Sequence, residues 1–245
     1  MPSPAPIAII YNLDGVKDLR LSPATIARIF SGSIKTWDDP AIERDNPDAD
    51  LPSDRITVVH RSDESGTTQN FEDYLAKAAT ADWKYEVDDV WPVKGQEAAQ
   101  GTSGVVDAVT NGSGTIGYAD ESQAGDLGTV KVGVGSDFVA PSAESAAKIF
   151  DASEETADPG RYVATYELER TTTEPGTYPI VLTSYALACT GYDDADTAAL
   201  VKGYLRYVVS PDGQVAAAKA AGSAPIPHSV ATKDQAAVEA IGAGS

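Results

Sequence analysis

The stretch from Ile56 to Leu75 changes its hydrophobic period once, and that change dictates the kind of fold. Ile56-Thr57-Val58-Val59-His60 is a short β-branched run, the signature of a strand. Arg61-Ser62-Asp63-Glu64-Ser65-Gly66-Thr67-Thr68 follows, rich in hydroxyls, and Gln69 to Leu75 then repeats its apolar residues at helical spacing. A strand delivered through a hydroxyl-rich turn into a helix is the setting an anion-binding loop requires. Strands alternating with helices along the rest of the chain place it in the α/β class.

The chemistry of the turn suits an oxyanion. Backbone N–H groups at a helix start lack intrahelical partners and carry partial positive charge. Gly66 lets a ligand approach the backbone, Ser65 and Thr67 add hydroxyl donors, and Arg61 offers a planar charged fork. The same residues also suit a hydroxyl N-cap beside a surface arginine, and the loop by itself does not choose. A nucleotide P-loop is excluded, because G-x-x-x-x-G-K-[ST] does not occur.

Elsewhere, Ile7 to Tyr11 reads as a buried strand closed by a turn from Asn12 to Gly15. Ser22-Pro23 opens a helix that Gly32 stops. Gly104 to Val109 reads as a helix, Gly114 to Tyr118 and Val130 to Val134 as strands, and Ser145 to Phe150 as a further helix. Ile180 to Cys189 reads as one long apolar strand, which predicts a buried, inert thiol at the single cysteine, Cys189. Three helices are expected to follow, over Ala195–Val209, Pro211–Ala221 and Val230–Ile241.

The formal net charge of −19 argues against nucleic acid or anionic membranes as partners, since both need basic surface. It leaves a small anion open, because a buried site works through local donors. No apolar run is long enough to span a membrane, and no basic segment followed by an apolar one lies near Met1, so no secretory signal is expected in this stretch.

Several segments together resemble the phosphate-binding proteins of bacterial ABC phosphate importers, the PstS type. Ile10 to Val16 resembles the family's NLPGV segment, and Ile26 to Asp39, ending Ile34-Lys35-Thr36-Trp37-Asp38-Asp39, is similar to its I(F/Y)xGxIxxWDD signature. Arg61 to Leu75 matches RSDxSGTTxxFxxYL, Gly114 to Tyr118 matches GxIGY, and Tyr178-Pro179-Ile180 leading into Thr183-Ser184 resembles a late WPI…T strand. The resemblance implies a type II periplasmic-binding-protein-like fold of two lobes. Residues 5–176 would form a complete lobe and residues 177–245 the C-terminal part of the other, with the first phosphate-contacting loops of the family lacking a counterpart.

Carried over residue by residue, it implies phosphate contacts from the Arg61 guanidinium, the Ser65 hydroxyl, the Gly66 N–H, and the N–H and hydroxyl of Thr67. Asp63 would hold Arg61 in place, and Glu64, where many members have glycine, would face outward. The implied protein is a non-enzymatic extracytoplasmic receptor, at the cell surface or in the periplasm, delivering inorganic phosphate to a membrane permease without cofactor or metal. A relative repurposed as a cell-surface or interaction module with weak or no phosphate binding is the alternative.

Other chemistries have weaker support. Asn46, Asp48 and Asp50 mimic a calcium loop, but Leu51 and Thr57 stand where its glycine and glutamate belong. His60 and His228 are too few and too far apart in sequence for a metal site. A Ser65–His60 nucleophilic pair, and with it a phosphatase-like or esterase activity, lacks a nucleophile elbow and a third member. The pairs Asp38-Asp39, Asp88-Asp89 and Asp193-Asp194 read as turns and helix starts.

Overall fold

A computed structural model describes residues 2–156, 162, 163, 165–221, 223 and 225–244. The chain opens with β1 (Pro2–Asn12), β2 (Arg20–Leu21), α1 (Pro23–Phe30), α2 (Pro40–Asp45), β3 (Thr57–Arg61) and α3 (Gly66–Ala78). It continues with β4 (Glu97–Ala99), α4 (Gly101–Asn111), β5 (Thr115–Asp120), β6 (Gly128–Thr129), β7 (Lys131–Val134), β8 (Asp137–Val139), α5 (Ala143–Ala147) and α6 (Ile149–Ala152). The last part holds β9 (Glu154–Thr156), β10 (Thr165–Glu167), β11 (Val181–Tyr185), β12 (Gly191–Tyr192), α7 (Ala195–Val208), α8 (Pro211–Ala221), α9 (His228–Glu239) and β13 (Gly242–Ala243).

The main sheet has the order β11-β1-β5-β3-β4, with β6 also paired to β1. β3 runs parallel to β4 and β5, which makes this the expected α/β arrangement. β1 has three antiparallel partners: residues 2–6 pair with β11, residues 7–12 with β5, and Ile10 and Tyr11 also with β6. The strand therefore starts well before Ile7, where sequence reading places it, because prolines do not usually continue a ladder. Ile7 donates to the Ile180 carbonyl, so odd-numbered backbone N–H groups face β11. Pro4 and Pro6 consequently turn their missing donors away from it, and the pairing tolerates them.

Alternation along β1 divides the interior. Ile7, Ile9 and Tyr11 join a large core with α1, α2, α3 and β7, while Ala8 and Ile10 meet Val59, Val105, Val109 and Ala119 under α4. Helices on both faces of a partly parallel sheet account for both layers. Ser22 caps α1 through the Thr25 amide, and the chain leaves that helix through Gly32 at φ 77°.

Three expectations need correction. The helix read over Ser145 to Phe150 is two short helices, α5 and α6, meeting at Lys148. The helix read from Gly104 starts at Gly101, because Gly-Thr-Ser-Gly has turn-like residues that mask a first turn. The strand read through Cys189 ends at Tyr185, so Cys189 lies in an irregular stretch and is exposed rather than buried. No helix of the described residues is long and apolar enough to cross a membrane.

Candidate functional site

β3 ends at Arg61, whose side chain is largely buried, and α3 begins five residues later at Gly66, so the intervening turn is short and held at both ends. The Ser62 amide donates to the Ala99 carbonyl at 2.9 Å, and the Ser65 amide to the Asp89 carbonyl at 2.9 Å. Ser65 is the N-cap of α3: its backbone is extended and its Oγ accepts the Thr67 and Thr68 amides at 3.2 and 3.3 Å. The cap reading and the ligand reading of this serine thus describe the same buried hydroxyl.

Arg61 is pinned by the carboxylate two residues on. Its Nε donates to Asp63 Oδ1 at 2.8 Å and its Nη2 to Asp63 Oδ2 at 2.5 Å, the parallel two-bond geometry in which Arg–carboxylate pairs are strongest. Asp63 Oδ1 also accepts the Gly101 amide at 3.0 Å, and Arg61 Nη1 makes a longer 3.4 Å contact with Thr102 Oγ1. Gly101 has φ 70°, a left-handed conformation that glycine adopts without strain. The start of α4 is thereby drawn to the same carboxylate. The Arg61 hydrogen bonds, followed by the Gly101 amide, hold the Asp63 carboxyl well below the usual carboxylate range, and Asp63 in turn raises the guanidinium. The arginine is therefore a fixed cation presented beside a helix N-terminus.

The floor is aromatic and buried. Thr68 Oγ1 shares a 2.7 Å hydrogen bond with the Tyr118 hydroxyl, which also accepts the Arg61 amide at 3.3 Å. Burial pushes the Tyr118 phenol up to about 12, so it stays protonated. Phe71 stacks on Tyr118 at 4.8 Å and on Trp91 at 6.2 Å, and Phe30 meets Phe71 edge-on at 4.8 Å. These packed rings fix the first turns of α3.

A second arginine, which no sequence pattern flags, ties α3 to β11. Arg170 is buried; it donates to Asp73 Oδ2 at 2.9 Å and Asn70 Oδ1 at 2.6 Å on the helix, and to the Pro179 and Val181 carbonyls at 2.9 Å each. Gly66 lies nearby: a Cβ there would meet Leu182 Cδ1 at 3.8 Å, an ordinary contact. The packing of the chain does not by itself demand glycine at this position.

The structure brings Arg61, Asp63, Ser65, Gly66 and Thr67 together in one turn, with Ser65 buried, Gly66 exposed and Glu64 facing solvent. His60 does not join Ser65 in a nucleophilic pair. Its Nδ1 donates to the Arg61 carbonyl at 2.8 Å and its ring stacks on Trp91 at 5.7 Å. Asn46 is committed internally, its amide donating to the Arg20 and Ile42 carbonyls at 2.7 and 2.9 Å. Asp39 and Asp194 cap α2 and α7. Among the described residues no three His, Cys, Asp or Glu side chains gather as a metal site.

A family model described as a PBP superfamily domain matches residues 5–212. The chain is 35% identical over 240 residues to phosphate-binding protein PstS 3 of Mycobacterium leprae, covering 96% of this chain and 64% of that protein. It is 35% identical to phosphate-binding protein PstS 2 of Mycobacterium tuberculosis over the same shares. The chain thus spans just under two thirds of the length of these relatives. Among solved structures, a high-affinity periplasmic phosphate-binding protein bound with phosphate superposes with a TM-score of 0.74 at 23% identity, over 96% of this chain and 69% of that one. A phosphate-binding protein from Stenotrophomonas maltophilia gives 0.71 at 20% identity, over 96% and 68%. At those identities the superpositions establish the fold.

Proposed function

The chain belongs to the PBP superfamily, and from that premise we propose that it is the arginine-bearing part of a receptor that captures inorganic phosphate. The loop Arg61 to Thr67 is the binding wall. Arg61 supplies the charged fork, Ser65 and Thr67 their hydroxyls, and Gly66 and Thr67 the first backbone donors of α3, with Asp63 holding Arg61 in register. The observation that carries this reading is the Arg61–Asp63 pair at the start of α3. It fixes a cation next to the head of α3, where the Thr67 amide donates to Ser65 Oγ and the Gly66 amide has no protein acceptor among the described residues, while leaving the far edge of the guanidinium uncommitted to Asp63. The glycine at position 66, which the chain's own packing does not require, suits a ligand approaching the backbone.

In this reading residues 5–176 are one lobe, residues 177–245 belong to a second, and the β1–β11 pair is the crossing between them. Closure of the lobes would bury a dehydrated phosphate against fixed dipoles and hydroxyls. The chemistry is capture and release with no covalent step. The periplasmic phosphate-binding protein among the structural neighbours supports an extracytoplasmic role, and the resemblance to the PstS type extends that role to feeding the membrane permease of an ABC importer. Calorimetric titration with phosphate and with sulfate tests the proposal. Saturable heat with phosphate that sulfate does not reproduce is the expected result. Silence with phosphate, or equal affinity for sulfate, would discard it.

A further inference from the structure

The helix that carries the anion loop also buries a carboxylate two turns into its length. Glu72 has 0% exposure, a placement glutamate almost never takes without a partner. Its Oε2 accepts the Asp88 amide at 3.0 Å, while its Oε1 is buried without a hydrogen bond among the described residues. The next residue, Asp89, gives its carbonyl to the Ser65 amide at 2.9 Å. Glu72 is therefore connected through Asp88 and Asp89 to the N-cap of its own helix.

Resting on the phosphate reading above, we propose that Glu72 is a proton-sensitive positioning residue for the anion loop, its neutral form favouring the bound anion and its ionised form opposing it. Burial, the largest cause, pushes its carboxyl up to about 7; the Asp88 amide opposes the rise, and the charges of Asp88 and Asp89 add to it. The ionisable groups acting on it are all acids: Asp88 and Asp89 from the loop that crosses α3, and the Tyr118 phenol from β5. Among the described residues no lysine or arginine forms an ion pair with it. His60, stacked on Trp91 at the rim of the same cluster, is itself held below the usual histidine range by burial. An ionised Glu72 adds negative charge behind the helix mouth that must hold an anion, in a medium that screens it poorly. By linkage, a bound anion must raise the proton affinity of Glu72 by the same factor.

The test compares wild type with Glu72→Gln, which keeps an acceptor for the Asp88 amide, across about pH 5.5 to about pH 8.5. First, backbone amide shifts of Ser65, Asp88 and Asp89 are followed by NMR without ligand. A shared midpoint near neutrality is expected in wild type and its loss in Glu72→Gln. Second, affinity for inorganic phosphate is measured for both proteins. The second ionisation of phosphate and any titration of His60 act on both and cancel in the ratio. That ratio is expected to move about three- to tenfold in favour of Glu72→Gln between about pH 6 and about pH 8. Amides that do not titrate, or that titrate identically in both proteins, overturn the proposal, and so does measurable binding with a constant ratio. A wild type that binds no phosphate at any pH while its three amides still titrate with Glu72 supports the link and defeats the phosphate reading instead.

Discussion

Helices α3 and α7 are close in length, at 13 and 14 residues, and each is started by a side-chain cap, Ser65 in one and Asp194 in the other. Their surroundings differ. α3 buries Thr68, Phe71, Glu72, Tyr74 and Leu75, whereas α7 buries Ala198 and exposes Leu200, Tyr204 and Tyr207 on one stripe. Leu187 and Val215 are exposed in the same C-terminal part. Amphipathic spacing identifies the face that can be buried, but the facing residues decide how much free energy that face yields. α3 is held by a buried aromatic cluster and by Arg170. α7 is held by its cap and by surface ties, with Arg206 on Glu239 at 2.5 Å and Lys202 on the Glu239 carbonyl at 2.6 Å. Exposed pairs of that kind contribute little.

The contrast can be broken by substitution. Trp37 is fully buried and donates from Nε1 to the Gly114 carbonyl at 3.2 Å. Trp37→Ala is expected to cost about 3–5 kcal/mol in denaturant unfolding. A loss under about 1 kcal/mol would mean that the α3 side is no better packed than the α7 side.

Glu72 sharpens the comparison from within α3. Its folded-state carboxyl sits above the unfolded value of 4.5, at about 7. The folded state therefore binds the proton more tightly, and stability falls as pH rises from 4.5 to about 7, then levels off. Glu72→Gln should flatten that fall and gain on the order of 1–2 kcal/mol at alkaline pH, read as chemical denaturation across pH. An unchanged pH profile would remove Glu72 as its cause.

Caps should matter alike on both sides. Ser65→Ala and Asp194→Ala are each expected to cost about 1 kcal/mol, and a much larger loss at Asp194 would show that α7 depends on its cap more than α3 does. The smallest effect is expected at Tyr204→Ala, within about 0.5 kcal/mol in the same assay. A cost above about 2 kcal/mol would show that the α7 stripe is covered in solution.

Sequence reading captured what is local. The switch from strand to helix around Arg61, the Ser22 cap and the Gly32 stop all lie within a few residues, where period and turn chemistry carry the information, whereas the Arg61–Asp63 partnership is implied by the family resemblance alone. What it missed comes from contacts between segments far apart in sequence. The Gly101 amide on Asp63 comes from 38 residues away and the Tyr118 hydroxyl on Thr68 from 50, and neither leaves a pattern near the loop. Arg170 reaches Asn70 from 100 residues away out of an irregular stretch. The start of β1 was hidden because prolines read as breakers until the hydrogen-bonded side of the strand is known. Cys189 escapes the expected burial because one apolar run spans two environments: the strand stops at Tyr185 and the residues beyond it are exposed.

We propose Arg61, locked by Asp63 at the head of α3, as the cationic wall of a phosphate site. The most direct test is the phosphate affinity of Arg61→Ala beside wild type under identical salt and pH. A charge-assisted hydrogen bond to a buried anion contributes about 1.5–3 kcal/mol, so the affinity should fall by roughly tenfold or more. A change smaller than about threefold, with wild type binding intact, would contradict the account.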